Sequence, residues 1–440
     1  CMGGKSITRF NRTVSLWKSK KIREKTRGSR KNVFVRVRKM SVYDIMTSII
    51  ARKGLTAAME IRNYSKKSGK DEISKQAWLK ARQNLNPEVF RYANDEYIKS
   101  FYESEDEVKL WNGYLVLAID GSKAEIPNSE ENRKTYGTQG NIYCEGPARA
   151  LISGLFDVLN DFFIDLQICN VNVNELEAAK ENINAIERIG LKQKIIIIFD
   201  RGYPSLELLN YLDEQKIAYI VRISSTFCKN ERQQTESNDS VVKILNTKTK
   251  LMKLKAKNED LYEKIKDNEF TATRLIRDKT PAGDEFAILT SLPDDIKSEE
   301  IISAYFLRWK IEDAYNTIKN KMRFESVTGN ASIYVEQDFL AQVYVYNMME
   351  DVRHTAEEKL QKKPDKYMYP QRINQNVAIG IFKDELLDMA LEENDRIRVR
   401  KLKRIQAEIS KYTLPVRKSK SKKRQFNKAN KFGCNLKPSF

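Results

Sequence analysis

The chain has 440 residues, 32% of them charged and 41% hydrophobic, with a formal net charge of +19. Its length suits two or three domains, and its longest central apolar run, KIIIIFD at 194–200, is far too short for a membrane span of about 20 residues. Five cysteines without metal or redox spacing and a single histidine, His354, argue against a zinc site and most histidine catalysis, and leave carboxylates as the available chemistry in a reducing cytoplasm.

Residues 1–40 carry fourteen Lys or Arg and one acid, Glu24. Such a block suits a polyanion, nucleic acid being the commonest, with a solvated arm as the plainer alternative. No amphipathic apolar face accompanies the charge, so a membrane surface is not an expected partner. The segment is polar and basic, without the apolar core of a signal peptide. It reads as extended or poorly ordered, with a short strand in VFVRVRKM (33–40). Ser41 then caps a helix through Arg52, and Gly54 can end it. A second helix covers about 55–64, SKKSGKDE (65–72) is a loop, and a third helix begins at the Ser74 cap. Pro87 stands at the first position of a fourth. Several short helices with a basic surface suit a DNA-binding unit over 1–105, a helix–turn–helix being one form open to it.

From Gly113 the texture becomes that of a mixed α/β sheet. YLVLAID is a strand ending in an acid, and residues 141–169 read as two strands of a hairpin. NELEAAKENINAIERIG is a helix closed by Gly190, KIIIIFD a buried strand, PSLELLNYLDEQK a helix with Pro204 near its start, and IAYIVRIS another strand. From about 226 to 297 the rhythm changes to short strand-like pieces, SVVKILN, LMKLKAK, EFTATRLIRD and EFAILTSL, which read as a β-rich insertion. Beyond Gly329 the chain is helical again, with His354 in the polar stretch VRHTAEEKL, where it reads as a satisfied or exposed side chain. Residues 415–440 form a second basic block, with nine Lys or Arg and no acid. The expected units are 1–105, 106–330 and 331–440.

Asp120 and Asp200 each terminate an apolar strand. A carboxylate there is costly to keep dry unless it is solvated, paired or bound to a cation. Alone, each is explained by a turn, since AIDGS and DRGYPS are good turn sequences. Together they point elsewhere, because strand ends facing one way line a common rim, where two carboxylates could share divalent cations. With a basic chain and no useful histidine, phosphoryl transfer on nucleic acid is the natural chemistry.

The stretch YFLRWKIEDAYNTIK (305–319) reads as one helix. With Tyr305 at zero, Arg308 falls at about 300°, Glu312 at about 340° and Lys319 at about 320°, while Leu307, Ile311, Ala314 and Ile318 fall between about 180° and 240°. An i,i+4 Arg308–Glu312 pair on a solvent face accounts for two of the four polar residues, at roughly 0.2–0.5 kcal/mol, and leaves Tyr305 and Lys319 unexplained. Trp309 lies about 40° from Tyr305, at the edge of this face, suited to packing, with stacking on an unpaired base as the alternative.

This Tyr-x2-Arg-x3-Glu-x6-Lys spacing, with LAIDGS around Asp120 and FDRGYPS around Asp200, resembles the signature of bacterial insertion-sequence transposases with a DDE active site. The likeness covers roughly 30–330. It implies a ribonuclease H-like α/β core with a β-rich insertion between the second Asp and the Glu. It implies that Asp120, Asp200 and Glu312 bind two Mg²⁺ or Mn²⁺ ions, and that Tyr305, Arg308 and Lys319 contact DNA phosphate. Arg201, directly after the second acid, could act likewise or form a salt bridge or cap. The implied activity is excision at terminal inverted repeats and strand transfer into target DNA, by a homodimer on paired ends in a bacterial, nucleoid-associated setting. The alternatives are a DNA-binding protein derived from a transposase that has lost catalysis, or another Mg²⁺-dependent nuclease.

Overall fold

The computed structural model describes residues 4–30, 32–35, 39–141, 143–233, 235–279, 283, 285–361 and 368–416. Six helices come first: α1 (Lys5–Trp17), α2 (Lys20–Arg27), α3 (Val42–Ile50), α4 (Ala57–Ser68), α5 (Lys75–Arg82) and α6 (Glu88–Tyr102). The sheet and its helices come next as β1 (Tyr114–Glu125), α7 (Glu130–Tyr136), β2 (Arg149–Asp157), β3 (Phe162–Asn170), α8 (Glu175–Ile189), β4 (Lys194–Phe199), α9 (Leu206–Glu214) and β5 (Ala218–Arg222). The chain continues through α10 (Lys229–Gln233), β6 (Asp239–Leu245), α11 (Lys248–Lys255), α12 (Glu259–Ile265), β7 (Phe270–Lys279) and β8 (Glu285–Thr290). Then α13 (Ser298–Phe306), α14 (Trp309–Asn316) and a π-helical turn (Thr317–Lys321) lead to α15 (Ser332–Gln361), β9 (Gln371–Ile373), α16 (Gln375–Leu391), α17 (Asp395–Ile409) and β10 (Thr413–Pro415).

The eight-stranded sheet has the order β3-β2-β1-β4-β5-β8-β7-β6. β1, β2 and β3 are antiparallel neighbours, whereas β4 and β5 run parallel to β1. This mixed core is ribonuclease H-like, as the resemblance implied. The insertion does not form a separate layer. Its strands pair antiparallel onto β5 through β8 and widen the same sheet. One expected strand is a helix: LMKLKAK lies in and just beyond α11, whose first turn is capped by the Thr247 side chain accepting from the Lys250 N–H. Leu254 packs there with Leu261 and Ile265 of α12 in a small satellite core, so a helical contact overrides the alternating pattern.

The start of the chain also departs from expectation. Residues 5–27 are helical, because Ile7, Phe10, Val14 and Trp17 recur at helical spacing and are buried. Arg9 reaches Asp351 of α15 through two hydrogen bonds of 2.8 and 2.6 Å, and the Tyr97 hydroxyl donates to the same carboxylate at 2.7 Å. Of the strand expected at 33–40, residues 36–38 lie outside the described residues and the rest form none. The helix after Ser41 has a full capping box with Asp44. The next helix continues past 64 to Ser68, where Gly69 at φ +67° ends it. One contiguous apolar core runs from Ile7 through the sheet to Ile409, so the N-terminal and C-terminal helices pack on the same body as the sheet. Residues 417–440, most of the basic tail, lie outside the described residues. Among the described residues, no helix is long and apolar enough to cross a membrane.

Lys383 of α16 gives this core a pH dependence. Its ammonium donates to the Met322 carbonyl at 3.1 Å and to the Gln342 side-chain carbonyl at 3.2 Å. Burial first, and then Arg52, Arg323 and Lys53 against the opposing charge of Glu60, push it down to about 7. Between pH 7 and its ordinary value of 10.5 the folded protein therefore binds fewer protons than the unfolded chain, so stability rises with pH across that window and is lost as pH falls toward 7. Lys383→Met is expected to flatten this slope and to raise Tm at pH 6, by about 2 °C or more per kcal/mol recovered. Thermal denaturation at pH 6 and pH 9 checks it, and an unchanged slope refutes it.

Candidate active site

Asp120 and Asp200 come together because β1 and β4 are parallel neighbours. Their last paired rung is Ala118 with Ile198. Two residues further on, Asp120 continues within β1 while Asp200 lies just past the end of β4, with adjacent strand backbones about 5 Å apart. The end of β4 opens a notch beside β1 at Asp120–Gly121. Glu312, in the first turn of α14, enters this notch from the helix packed over β1. The Arg308 guanidinium donates to Glu312 at 2.7 Å and lies 3.7 Å from an Asp120 oxygen. Burial first pushes the Asp120 carboxyl up to about 7; the Asp200 and Glu312 charges add to this and Arg308 opposes it. The three acids thus form one electrostatic unit with a single arginine in it.

Two further devices fix Asp120. The Tyr315 hydroxyl donates to the Asp120 carbonyl at 2.8 Å. Gly154 stands opposite Asp120 in β2, and a Cβ there would lie 2.8 Å from that hydroxyl, so the glycine makes room for the brace. Asp200 accepts from the Gly202 N–H, which folds the turn after β4 back on its carboxylate.

The stretch 305–319 is not one continuous helix, which corrects that reading of its periodicity: it is the end of α13, a tight turn, α14 and a π-helical turn. Hydrogen bonds from the Leu307 and Arg308 N–H groups to carbonyls three residues back tighten the chain between α13 and α14, and the π-helical turn then shifts the phase at Lys319. Tyr305 consequently faces the core. It is 2% exposed and packs edge-on against Phe286 at 5.3 Å. Arg308 stays with Glu312. Burial works against its charge, but Tyr305, Glu312 and Asp120 more than compensate and hold it above its ordinary value. Lys319 turns to the end of β1 that runs on past β4, donating to the Ser122 hydroxyl at 2.8 Å and the Lys123 carbonyl at 2.6 Å, 3.6 Å from Glu325. Trp309 is not packed away: it is 43% exposed, and the Arg308 guanidinium lies 5.3 Å from its ring centroid. Arg201 is exposed at the mouth of the notch and, among the described residues, has neither the salt bridge nor the capping contact that its sequence position allows.

Three carboxylates, two of which raise the proton affinity of the third, Asp120, with no thiol or imidazole among them, make a donor set for a hard divalent cation. The single histidine belongs to a different group. Asp161, Glu350 and His354 have ligand atoms within 4.8 Å of one another, the one such cluster among the described residues. His354 bonds Asp161 at 3.1 Å, Arg353 pairs with Glu350 at 2.6 Å and Lys310 with Asp161 at 3.3 Å. Its charges are balanced from within, as a satisfied histidine requires.

A protein-family profile described as "Transposase DDE domain" matches residues 111–348, more than half of the chain and the whole segment bearing the three acids. A cryo-EM structure of the piggyBac transposase synaptic complex with hairpin DNA is similar at 11% identity and a TM-score of 0.45, over 92% of this chain and 85% of that one. No curated protein matches the chain.

Proposed function

The chain belongs to the DDE transposase family, and from that premise we propose which of its residues do the work and on what DNA. Family membership makes it a DNA transposase that cleaves and transfers DNA strands in a divalent-metal-dependent reaction. Our reading assigns the metal site to Asp120, Asp200 and Glu312, holding two Mg²⁺ or Mn²⁺ ions. When bound, such a pair activates the attacking hydroxyl or water and stabilises the leaving oxygen. The single observation that supports this assignment is the convergence beyond β4, where Arg308 bridges Asp120 and Glu312 and the Asp200 and Glu312 charges both raise the Asp120 carboxyl.

Around that site the other residues have distinct tasks. Arg308 spans Asp120 and Glu312, and with DNA present its fork of donors would hold a phosphate at the reacting end. Lys319 braces the stretch of β1 that β4 leaves unpaired. Tyr305 contributes through its place beside Arg308, from within the core. Exposed Arg201 and Trp309 are placed to meet the strand that leaves the site, the first at a phosphate and the second by stacking on an unpaired base. The DNA is the pair of terminal inverted repeats of a bacterial insertion sequence, together with its target, bound by a homodimer. The helices of 1–105 supply much of the duplex contact through their basic surface.

Cleavage of the duplex that flanks the gene tests this reading. Nicking at the repeat ends is expected with Mg²⁺ and none with EDTA. Absence of nicking under Mg²⁺ and Mn²⁺ alike would favour a DNA-binding protein without catalysis.

A further inference from the structure

Glu175 opens α8 on the opposite face of the sheet from Glu312, and its position depends on the residue after Asp120. In β1, Gly121 pairs with Ser153 of β2, whose hydroxyl bonds Asn182 of α8 at 2.6 Å; that face of the strand is therefore the one under α8. A Cβ on Gly121 would lie 3.1 Å from the Glu175 carboxyl carbon and 3.2 Å from its Oε1. Any larger residue would push the carboxylate away, so glycine admits it against the backbone beside Asp120. The backbone there is fixed: the Asn174 side chain caps α8 by accepting from the Leu176 N–H at 3.0 Å. Glu175 itself forms no hydrogen bond or ion pair among the described residues, although Lys180 of the same helix is engaged with Glu177 and Glu207.

An unpartnered surface glutamate alone means little. A second observation comes from the turn after β4. Tyr203 is 4% exposed, and its hydroxyl has no hydrogen-bond partner among the described residues. Leaving such a group unpaired costs about 1–3 kcal/mol, and buried polar atoms of this kind call for a water or an ion. After burial, the Glu175 and Asp120 carboxylates, the Tyr315 phenol and Asp200 all push this hydroxyl well above its ordinary value. Tyr315, which braces Asp120, is influenced by both Asp120 and Glu175. The space beyond β4 thus has acids on both faces of the sheet, with the buried, unpartnered Tyr203 hydroxyl within their field.

We propose that Glu175 is a fourth acidic residue of the active site, holding a hydrated divalent cation from the α8 face, with the Tyr203 hydroxyl bonded to a water of that cation's shell. This rests on the assignment of Asp120, Asp200 and Glu312 as the metal site. Mg²⁺ and Mn²⁺ retain water beside one or two carboxylates, which matches a glutamate and a phenol that approach Asp120 without touching it.

Binding of Mn²⁺ to the full chain, monitored by electron paramagnetic resonance of the free aquo ion, tests the proposal without DNA or turnover. Glu175→Gln is expected to weaken binding about 10-fold, Tyr203→Phe to weaken it in the same direction, and Glu187→Gln, further along α8, to leave the isotherm unchanged. Coincident isotherms for the wild type and Glu175→Gln would overturn the proposal. Asp200→Asn separates the two levels of inference. If it lowers Mn²⁺ binding while Glu175→Gln does not, only the role of Glu175 falls. If neither variant changes the isotherm, the metal site itself has been misassigned.

Discussion

Alanine at Asp120, Asp200 or Glu312 is expected to reduce strand cleavage by at least ~10³-fold, a barrier increase of about 4 kcal/mol, while leaving duplex binding in EDTA intact. The loss is large because in the proposed site each acid supplies a ligand that the other two cannot replace. Binding survives because the basic surfaces of the N-terminal helices lie outside the notch. Asp200→Ala should also fold at least as well as the parent, whereas Asp120→Ala and Glu312→Ala each take counter-charge from buried Arg308. Burial together with the Asp200 and Glu312 charges lifts Asp120 to about 7, so the clustered carboxylates are a cost to the folded state, and removing one relieves repulsion. The expected pattern for Asp200→Ala is therefore a lost reaction with an equal or higher Tm, which a merely structural role for this acid would reverse. Wild-type cleavage by any one of the three variants would remove that residue from the site.

Asp120 and Asp200 stood out in the sequence because each closes a run of apolar residues, and the parallel β1–β4 register makes those two strand ends neighbours; Glu312 stood out only through its spacing from Arg308 on a helix. The α/β core was readable from the same apolar runs. What periodicity misread was phase. Extrapolating 100° per residue from Tyr305 to Lys319 assumes one unbroken helix. The tight turn at Leu307–Arg308 and the π-helical turn at Thr317–Lys321 each rotate the residues beyond them out of that register. Arg308 and Glu312 keep their i,i+4 relation because α14 begins directly after Arg308, while Tyr305 and Lys319 lie on the far sides of the two irregularities.

The N-terminal helices were hidden by composition. In residues 5–27 the apolar positions 7, 10, 14 and 17 keep a helical period, but the density of Lys and Arg suggested a solvated arm. Arg9 is in fact buried against Asp351 across 342 positions of sequence, a pairing no local pattern contains. Glu175 and Tyr203 carried no local signal either. The relation of Glu175 to Asp120 exists only through the packing of α8 under β1, its one trace in the sequence being the glycine of AIDGS, which serves a turn equally well; Tyr203 lies within FDRGYPS, where nothing local marks its hydroxyl as buried and unpaired.

Asp338→Asn is expected to destabilise the fold by about 3–5 kcal/mol, because it removes the counter-charge of two buried arginines while changing almost no volume. Asp338 is fully buried in α15 and accepts from the Thr328 N–H and hydroxyl, each at 2.7 Å, and from Arg82 at 2.7 Å. Arg52 lies 3.6 Å away and also donates to the carbonyls of Ser326 and Phe324, at 2.8 and 3.1 Å. Arg82 and Arg52 come from the N-terminal helical region, and the segment they grip, 324–328, comes directly after the turn that carries Lys319. The cluster thus fastens the basic helical region to the strand and helix that hold the acids. Burial alone would raise the Asp338 carboxyl, but the two guanidinium groups hold it below the ordinary carboxylate range. Its contribution is therefore present above the unfolded value of 3.8 and is lost as pH falls below it. Denaturant unfolding should show a large drop in midpoint for Asp338→Asn at pH 7, and a gap to the wild type that narrows on acidification. Arg82→Met combined with Asp338→Leu should recover part of the loss, since a neutral pair leaves fewer charges unpaired. An Asp338→Asn protein with the parent's midpoint would mean that the buried ion pairs do not join the two regions, and that the apolar core shared from Ile7 to Ile409 does so alone.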